Sequence, residues 1–135
     1  MQKVFFYSFF LLILLADINI AIKTCNNVMG TIDKLQRNGI FFNYEDVIFL
    51  CERYCIIELS IFGSSIRDDF TPDSDVDMLV AFDERSKITL FDIMDLEKEF
   101  SQLFKRKVDV VEKKSLKNPI RRNKILSTLE KIYAA

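Results

Sequence analysis

The 135-residue sequence contains no histidine and no tryptophan. The absence of histidine excludes imidazole metal ligands, histidine general bases and histidine pH switches. Any acid–base or metal chemistry must therefore depend on Asp and Glu. Neither sign of charge dominates, because 19 basic and 20 acidic residues leave a net charge of −1. The sequence has no overall positive field that would attract nucleic acid, and we expect no direct nucleic-acid binding.

Cysteine is also scarce. Cys25, Cys51 and Cys55 are odd in number and form no CxxC pair, a pattern typical of neither a disulfide framework nor a zinc site. Cys51 and Cys55 lie four residues apart in a helical pattern, where they would share one face. We predict that these two cysteines are small core residues in a reducing compartment.

The length suits one small domain with a modest core. Helical spacing of apolar residues predicts four helices, and apolar runs predict three strands. The predicted helices cover residues 31–37, 43–55 and 89–104, and a last one begins at Asn118-Pro119 and continues through Tyr133. The predicted strands cover 56–62, 76–82 and 107–111, and a solvated turn covers 83–86.

The N-terminal run Val4–Ala16 is almost wholly apolar. It is shorter than the roughly 20 residues that cross a bilayer, and its length is typical of a signal-peptide core. The positive flank is only Lys3, and no clear small-x-small cleavage site follows. A third interpretation is that translation begins at Met29. Signal, anchor and later start all stay open on the residues alone.

A glycine turn joins the first two predicted strands. Gly63-Ser64 follows the apolar run 56–62 and precedes a short helical pattern. Glycine lets the backbone approach a ligand closely, and free amides at the start of a helical turn face an anion. We therefore expect Gly63 and Ser64 to suit a phosphate group.

Acids mark the next two predicted strands. Asp75 and Asp77 begin the second strand and point to the same face, because side chains alternate along a strand. Two carboxylates this close disfavour joint ionisation unless a cation binds them, and a hard divalent ion is the simplest occupant. Asp109 stands alone between Val108 and Val110 in the third strand. A solvent-exposed strand-end acid is the alternative interpretation of Asp109.

The coupling of Gly-Ser after one strand with Asp-x-Asp on the next resembles the signature of the DNA polymerase β-like nucleotidyltransferase superfamily. Within it, residues 63–82 (GSSIRDDFTPDSDVDMLVAF) and 106–126 (RKVDVVEKKSLKNPIRRNKIL) are similar to the minimal nucleotidyltransferases, or MNT group. Ile66 and Asp68-Asp69 depart from the usual loop residues. The resemblance implies an α+β fold with a small mixed sheet of about three strands flanked by helices.

The resemblance also implies the site residues. Asp75, Asp77 and Asp109 would hold two Mg²⁺ ions, which suit oxygen-only ligation. Gly63 and Ser64 would hold the β and γ phosphates of ATP. Asp109 would receive the proton of the acceptor hydroxyl. The products would be a nucleotidylated acceptor and pyrophosphate.

Several polar residues near this motif have two interpretations each. Arg67 could bind phosphate or pair with the acids of its own loop. Ser74 is expected to brace the loop or the strand start. The basic group Arg121, Arg122 and Lys124 is either a solvated helix end or a basic edge beside the triphosphate.

No part of so short a chain resembles a separate acceptor-binding domain. Because MNT proteins are often encoded beside a HEPN-domain toxin, the resemblance implies an antitoxin that transfers AMP from ATP to a tyrosine of that partner. A non-catalytic antitoxin that only binds its partner is one alternative. Partner-assisted nucleotidyl transfer to a small molecule is another.

The implied chemistry also bears on the N-terminus. ATP and Mg²⁺ are cytoplasmic supplies, so the resemblance favours a cytoplasmic nucleotidyltransferase domain at 29–135 and a spurious start for the hydrophobic extension 1–28. Membrane attachment would require residues 1–22 to be a real anchor.

Overall fold

The computed structural model describes the backbone of residues 2–135 and the side chains of residues 14–135. Its helices are α1 (Gln2–Arg37), α2 (Tyr44–Arg53), α3 (Leu90–Phe104) and α4 (Pro119–Thr128). Its strands are β1 (Ile56–Phe62), β2 (Val76–Phe82), β3 (Val108–Glu112) and β4 (Glu130–Ala134). Two short 3₁₀ turns cover Gly63–Ile66 and Lys113–Ser115.

The strands form one mixed sheet in the order β3-β2-β1-β4. β1 is antiparallel to both β2 and β4, whereas β2 and β3 are parallel. A parallel pair needs a long crossover, and α3 supplies it. The predicted α+β class and the three predicted strands are confirmed, and the sheet gains a fourth strand at its edge.

The end of the chain differs from the prediction. The last helix does not continue through Tyr133; it ends at Thr128, and Glu130–Ala134 pairs with β1, with Tyr133 opposite Leu59. Without this strand, the β1 edge would leave a row of backbone N–H and C=O groups unpaired. The apolar residues of this short segment fit helical and strand periods equally well, so their spacing could not decide.

Helices α2 and α3 pack the main core against one face of the sheet. Their buried side chains are Val47, Leu50, Cys51, Leu96, Phe100 and Phe104. On β2, Val76, Met78 and Val80 join this core, and Leu79 packs with Leu116 and Ile125 in a separate small cluster. Because side chains alternate along β2, Asp77 lies on the face of Leu79, away from the main core.

Predicted helix starts are confirmed at two asparagines. The Asn43 side chain accepts a hydrogen bond from the Glu45 N–H at 3.0 Å, and the Asn118 side chain accepts from Ile120 and Arg121. Such caps satisfy N–H groups that have no partner within the helix. Asn118 thereby fixes the first turn of α4, which carries Arg121 and Arg122.

The prediction that Cys51 and Cys55 are core residues is right only for Cys51. Cys51 is buried, whereas Cys25 and Cys55 are exposed, and all three are free thiols. Cys55 does not continue the α2 face, because the helix ends at Arg53 and Cys55 takes a left-handed φ of +55°. Cys25 lies on a stretch of α1 whose residues 14–27 are all exposed.

Helix α1 passes through residue 29 without a break, so the predicted helix 31–37 forms its last turns. Among the described side chains of α1, from residue 14 onwards, the first buried one is Val28, and Ile32 and Leu35 are also buried. The domain boundary at 28/29 remains a prediction, and the apolar run Val4–Ala16 lies largely outside the described side chains. Among the described residues, no helix has the length and apolarity to cross a membrane.

Glu58 ties three elements together on the face opposite the main core. From β1, its carboxylate accepts Lys113 Nζ of the second 3₁₀ turn and Lys131 Nζ of β4, each at 3.3 Å. Burial raises the pKa of Glu58, but the two ammonium groups together hold that pKa below its ordinary value.

Candidate nucleotide and metal site

The turn after β1 is built around Gly63. Its φ is +80°, in the left-handed region that favours glycine. A Cβ at this position would lie 2.4 Å from Oδ2 of Asp77. Glycine is therefore required both by the backbone conformation and by the close approach of the turn to the Asp77 carboxylate.

The three predicted acids lie together on two parallel strands. Asp77 and Asp109 occupy paired positions of β2 and β3. Asp75 precedes β2 by one residue and shares the face of Asp77. The side chains of Asp75 and Asp109 are 38% and 45% exposed, so this acid cluster opens to solvent.

Asp77 is a partly buried member of the acid cluster. Burial, followed by repulsion from Asp109 and Asp75, raises the pKa of Asp77 above its ordinary value. The charges of Lys107 and Arg121 act in the opposite direction. The ionised cluster is thus electrostatically strained, and an added cation would relieve the strain.

Lys107 is a member of this site that sequence reasoning missed. Its Nζ lies 3.1 Å from Oδ2 of Asp75 and 3.7 Å from Oδ1 of Asp109. The signal was present in the sequence, because Lys107 stands two residues before Asp109 and so shares its strand face. Lys107 is therefore a built-in counter-ion for two of the three acids.

The acid cluster suits magnesium by its chemistry. Carboxylate oxygens are the ligands that Mg²⁺ prefers, and the Lys107 ammonium already bridges two of them, as a cation would. As the side chains stand, no three His, Cys, Asp or Glu groups among the described residues are gathered tightly enough to hold a metal ion. Metal binding would therefore require the acids to turn towards the ion.

The loop that follows Gly63 is held by its own polar contacts. Arg67 forms two hydrogen bonds to the Asp69 carboxylate, at 2.9 and 3.2 Å, so the pairing within the loop is present. The Asn38 side chain donates to the backbone oxygens of Ser65 and Arg67, at 2.8 and 3.1 Å. Asn38, which the sequence marked only as a helix stop, thus anchors this loop to the end of α1.

A cavity of about 630 Å³ opens beside the Gly63 turn. Its lining contains the three cationic residues Arg67, Arg121 and Lys124, and the apolar residues Phe62, Ile66 and Ile125. Arg122, which is exposed, does not line it. Two of the three predicted basic residues of α4 therefore face the cavity that contains Gly63.

The sequence matches the family model described as the nucleotidyltransferase domain over residues 48–132. This segment contains the glycine turn, all three acids and the basic residues of α4. The chain belongs to the nucleotidyltransferase domain family.

Relatives of this nucleotidyltransferase include the protein adenylyltransferase MntA of Thermococcus cleftensis. The two are 41% identical over 71 residues, which are 53% of this chain and 70% of the relative. A solved structure provisionally assigned as a minimal nucleotidyltransferase is 35% identical, with a TM-score of 0.54 over 64% of this chain and 85% of that chain. The predicted membership of the MNT group is confirmed.

The fold also matches a chain in the complex of a tri-AMPylated Shewanella oneidensis HEPN toxin with an MNT antitoxin. The TM-score is 0.52 over 75% of this chain and 73% of that chain. At 16% identity, this likeness shows the shared fold alone.

Two further polar residues complete the surroundings of the nucleotidyltransferase site. Ser74 accepts a hydrogen bond from the Thr71 N–H at 3.1 Å, which confirms its predicted role as a loop brace. Glu130, at the start of β4, lines the cavity, accepts a hydrogen bond from Thr31 at 3.0 Å and pairs with Lys34. Sequence reasoning missed Glu130, because it placed that residue inside a helix.

Proposed function

We propose that this nucleotidyltransferase transfers AMP from ATP to a tyrosine hydroxyl of a HEPN-type toxin and thereby acts as its antitoxin. The observation that carries the proposal is the close approach of a left-handed glycine turn to an acid cluster. Gly63 lies against the Asp77 carboxylate, and Asp77 is paired with Asp109 across the two parallel strands. Two similarities support the acceptor class. One relative is named a protein adenylyltransferase, and one structural neighbour contains an AMPylated HEPN toxin.

The triphosphate would lie where free amides and cations meet. The backbone amides of Gly63 and Ser64, at the start of the 3₁₀ turn, would donate to the β and γ phosphates. Arg67, Arg121 and Lys124 line the adjoining cavity, whose volume is in the ordinary range for a small-molecule site. Arg67 would have to exchange part of its contact with Asp69 for phosphate.

Asp75, Asp77 and Asp109 would hold two Mg²⁺ ions. When bound, these ions supply positive charge to the reacting phosphate oxygens and make an acceptor hydroxyl more acidic. Burial, followed by repulsion from Asp109 and Asp75, raises the pKa of Asp77, and the repulsion supports this assignment because divalent cations relieve it. The proposed need for ATP and Mg²⁺ supports a cytoplasmic location for the reaction.

Asp109 takes the proton of the acceptor hydroxyl as the transfer begins. The hydroxyl oxygen forms a bond to the α phosphorus, and the bond from that phosphorus to the oxygen of the β phosphate breaks. AMP is then joined to the acceptor, and pyrophosphate leaves. Arg67, Arg121 and Lys124 stabilise the negative charge on the departing phosphates.

The test is label transfer from α-labelled ATP to a purified HEPN-type toxin, with Mg²⁺ and the full chain. Asp75→Asn and Asp77→Asn should each reduce the rate by about 10²-fold or more, because positioning and charge stabilisation supply most of such catalysis. Asp73→Asn is the matched control, since Asp73 is an exposed acid of the same loop. It should retain the wild-type rate.

The same variants separate catalysis from simple binding. If Asp75→Asn and Asp77→Asn still neutralise the toxin in cells, the protein acts by occupying its partner and the catalytic proposal is wrong. If label reaches a small molecule in place of the partner, the acceptor class is wrong while nucleotidyl transfer stands. Mapping the labelled peptide decides whether the acceptor is tyrosine.

A further inference from the structure

Lys107 completes a square of four side chains on two parallel strands. Val76 pairs with Val108, so Asp75 stands beside Lys107 as Asp77 stands beside Asp109. Neighbouring strands are about 4.8 Å apart and alternate residues share a face, so all four side chains emerge from one small patch. Three corners of the square are acids, and the fourth is a lysine.

The ammonium group of Lys107 contacts two of the acids. Its Nζ reaches Asp75 at 3.1 Å and Asp109 at 3.7 Å, although its side chain is 68% exposed. The ammonium is thus held in place by electrostatics and has little packing of its own.

We propose that Lys107 is a resident counter-ion of the acid cluster, which a divalent cation must displace in order to bind. The inference rests on the metal site of the proposed function. Lys107 stabilises the metal-free acids and, by occupying them, weakens their affinity for a free divalent ion. Metal that arrives with the triphosphate has the nucleotide as a further ligand and is less affected.

An ordinary surface lysine contributes little through its ion pairs, because exposed ion pairs often add almost no free energy of stabilisation. Two features distinguish Lys107: one ammonium bridges two carboxylates, and its charge also acts on the third, Asp77. Removing the Lys107 ammonium would leave three neighbouring acids without the cation that contacts two of them. An ordinary surface pair would leave metal affinity unchanged.

The experiment measures binding of Mn²⁺ alone to the full chain without nucleotide, by electron paramagnetic resonance of the free ion. Lys107→Met should lower the Mn²⁺ dissociation constant roughly three- to fivefold, because one unit charge in direct contact with the ligands is removed. It should also lower the thermal stability in EDTA and enlarge the stabilisation by Mn²⁺. Lys107→Gln repeats the test with a polar neutral side chain.

Lys114→Met is the matched control, because Lys114 is equally exposed and pairs with Glu84 at 3.8 Å, away from the acid cluster. It removes the same net charge and should leave Mn²⁺ affinity unchanged. Lys107→Arg keeps the charge and should keep the wild-type affinity. Asp77→Asn should abolish Mn²⁺ binding both in the wild-type protein and in Lys107→Met.

Equal Mn²⁺ affinities for wild type, Lys107→Met and Lys107→Gln would overturn the inference while leaving the metal site intact. An equal gain in Lys114→Met would also overturn it, because general charge would then explain the effect. If neither wild type nor the Lys107 variants bind Mn²⁺, or if binding survives Asp77→Asn, the proposed metal site fails and the inference fails with it.

Discussion

Gly63→Ala tests the link between the glycine turn and the acid cluster. The added Cβ would lie 2.4 Å from Oδ2 of Asp77, where ordinary contacts begin at 3.4 Å. The carboxylate must therefore move by about 1 Å, a misplacement that can reduce catalysis about 10²-fold. Gly39→Ala is a close control, because Gly39 has a φ of +79° and open space around its Cβ position.

Both variants place a residue with a Cβ in a left-handed backbone conformation, and only Gly63→Ala also brings that Cβ into a steric clash. A left-handed conformation costs a residue with a Cβ about 1–2 kcal/mol, so each variant should lose roughly that much free energy of unfolding. For Gly63→Ala the extra loss should be small, below about 1 kcal/mol, because the carboxylate that it meets is the mobile end of a side chain. Stability should thus fall similarly in both, and activity only in one.

The assays are urea unfolding for stability and the initial rate of AMP transfer for activity. Gly39→Ala should transfer AMP at close to the wild-type rate. Gly63→Ala should be slower by about 10²-fold at temperatures where both are folded. A Gly63→Ala enzyme as fast as Gly39→Ala would refute the claim that this close approach positions Asp77 for catalysis.

Three further predictions concern the fold. Phe100→Ala should lower the free energy of unfolding by about 3–5 kcal/mol in urea titrations, because Phe100 is fully buried; a loss below about 1 kcal/mol would contradict this packing. In the native protein, a thiol reagent should react quickly with the exposed Cys25 and Cys55. Cys51 should react only on unfolding, because it is buried and because burial, followed by the charge of Glu52, raises its pKa to about 12. Glu58→Gln should be less stable than wild type at pH 7 and equally stable below the lowered pKa of Glu58. An acid whose pKa is lower in the folded state stabilises the fold at pH values above its unfolded-state pKa, and this stabilisation is lost as the pH falls through the folded-state pKa. A stability difference that does not change with pH would exclude the ion pairs as its cause.

Local sequence patterns sufficed for the elements that carry the site. The acids could be placed because strand alternation puts Asp75 and Asp77 on one face whatever the rest of the fold does. The glycine turn could be placed because Gly63 ends an apolar run. What these patterns could not give was the pairing of β2 with β3, which brings Asp109 beside Asp77.

The elements that were missed depend on contacts distant in sequence. β4 forms because the β1 edge is available, and nothing local to residues 130–134 signals that edge. The same error hid Glu130, whose partners Thr31 and Lys34 lie in α1. Lys107 was overlooked because its partner Asp75 is 32 residues away along the chain.

The most direct test of the central claim compares two labels on the nucleotide. With the full chain, Mg²⁺ and the HEPN-type partner, α-labelled ATP should label the partner and γ-labelled ATP should place its label in pyrophosphate. Two results would contradict AMP transfer by the site at Gly63 and Asp77: γ-labelled ATP labels the partner, or neither nucleotide labels it.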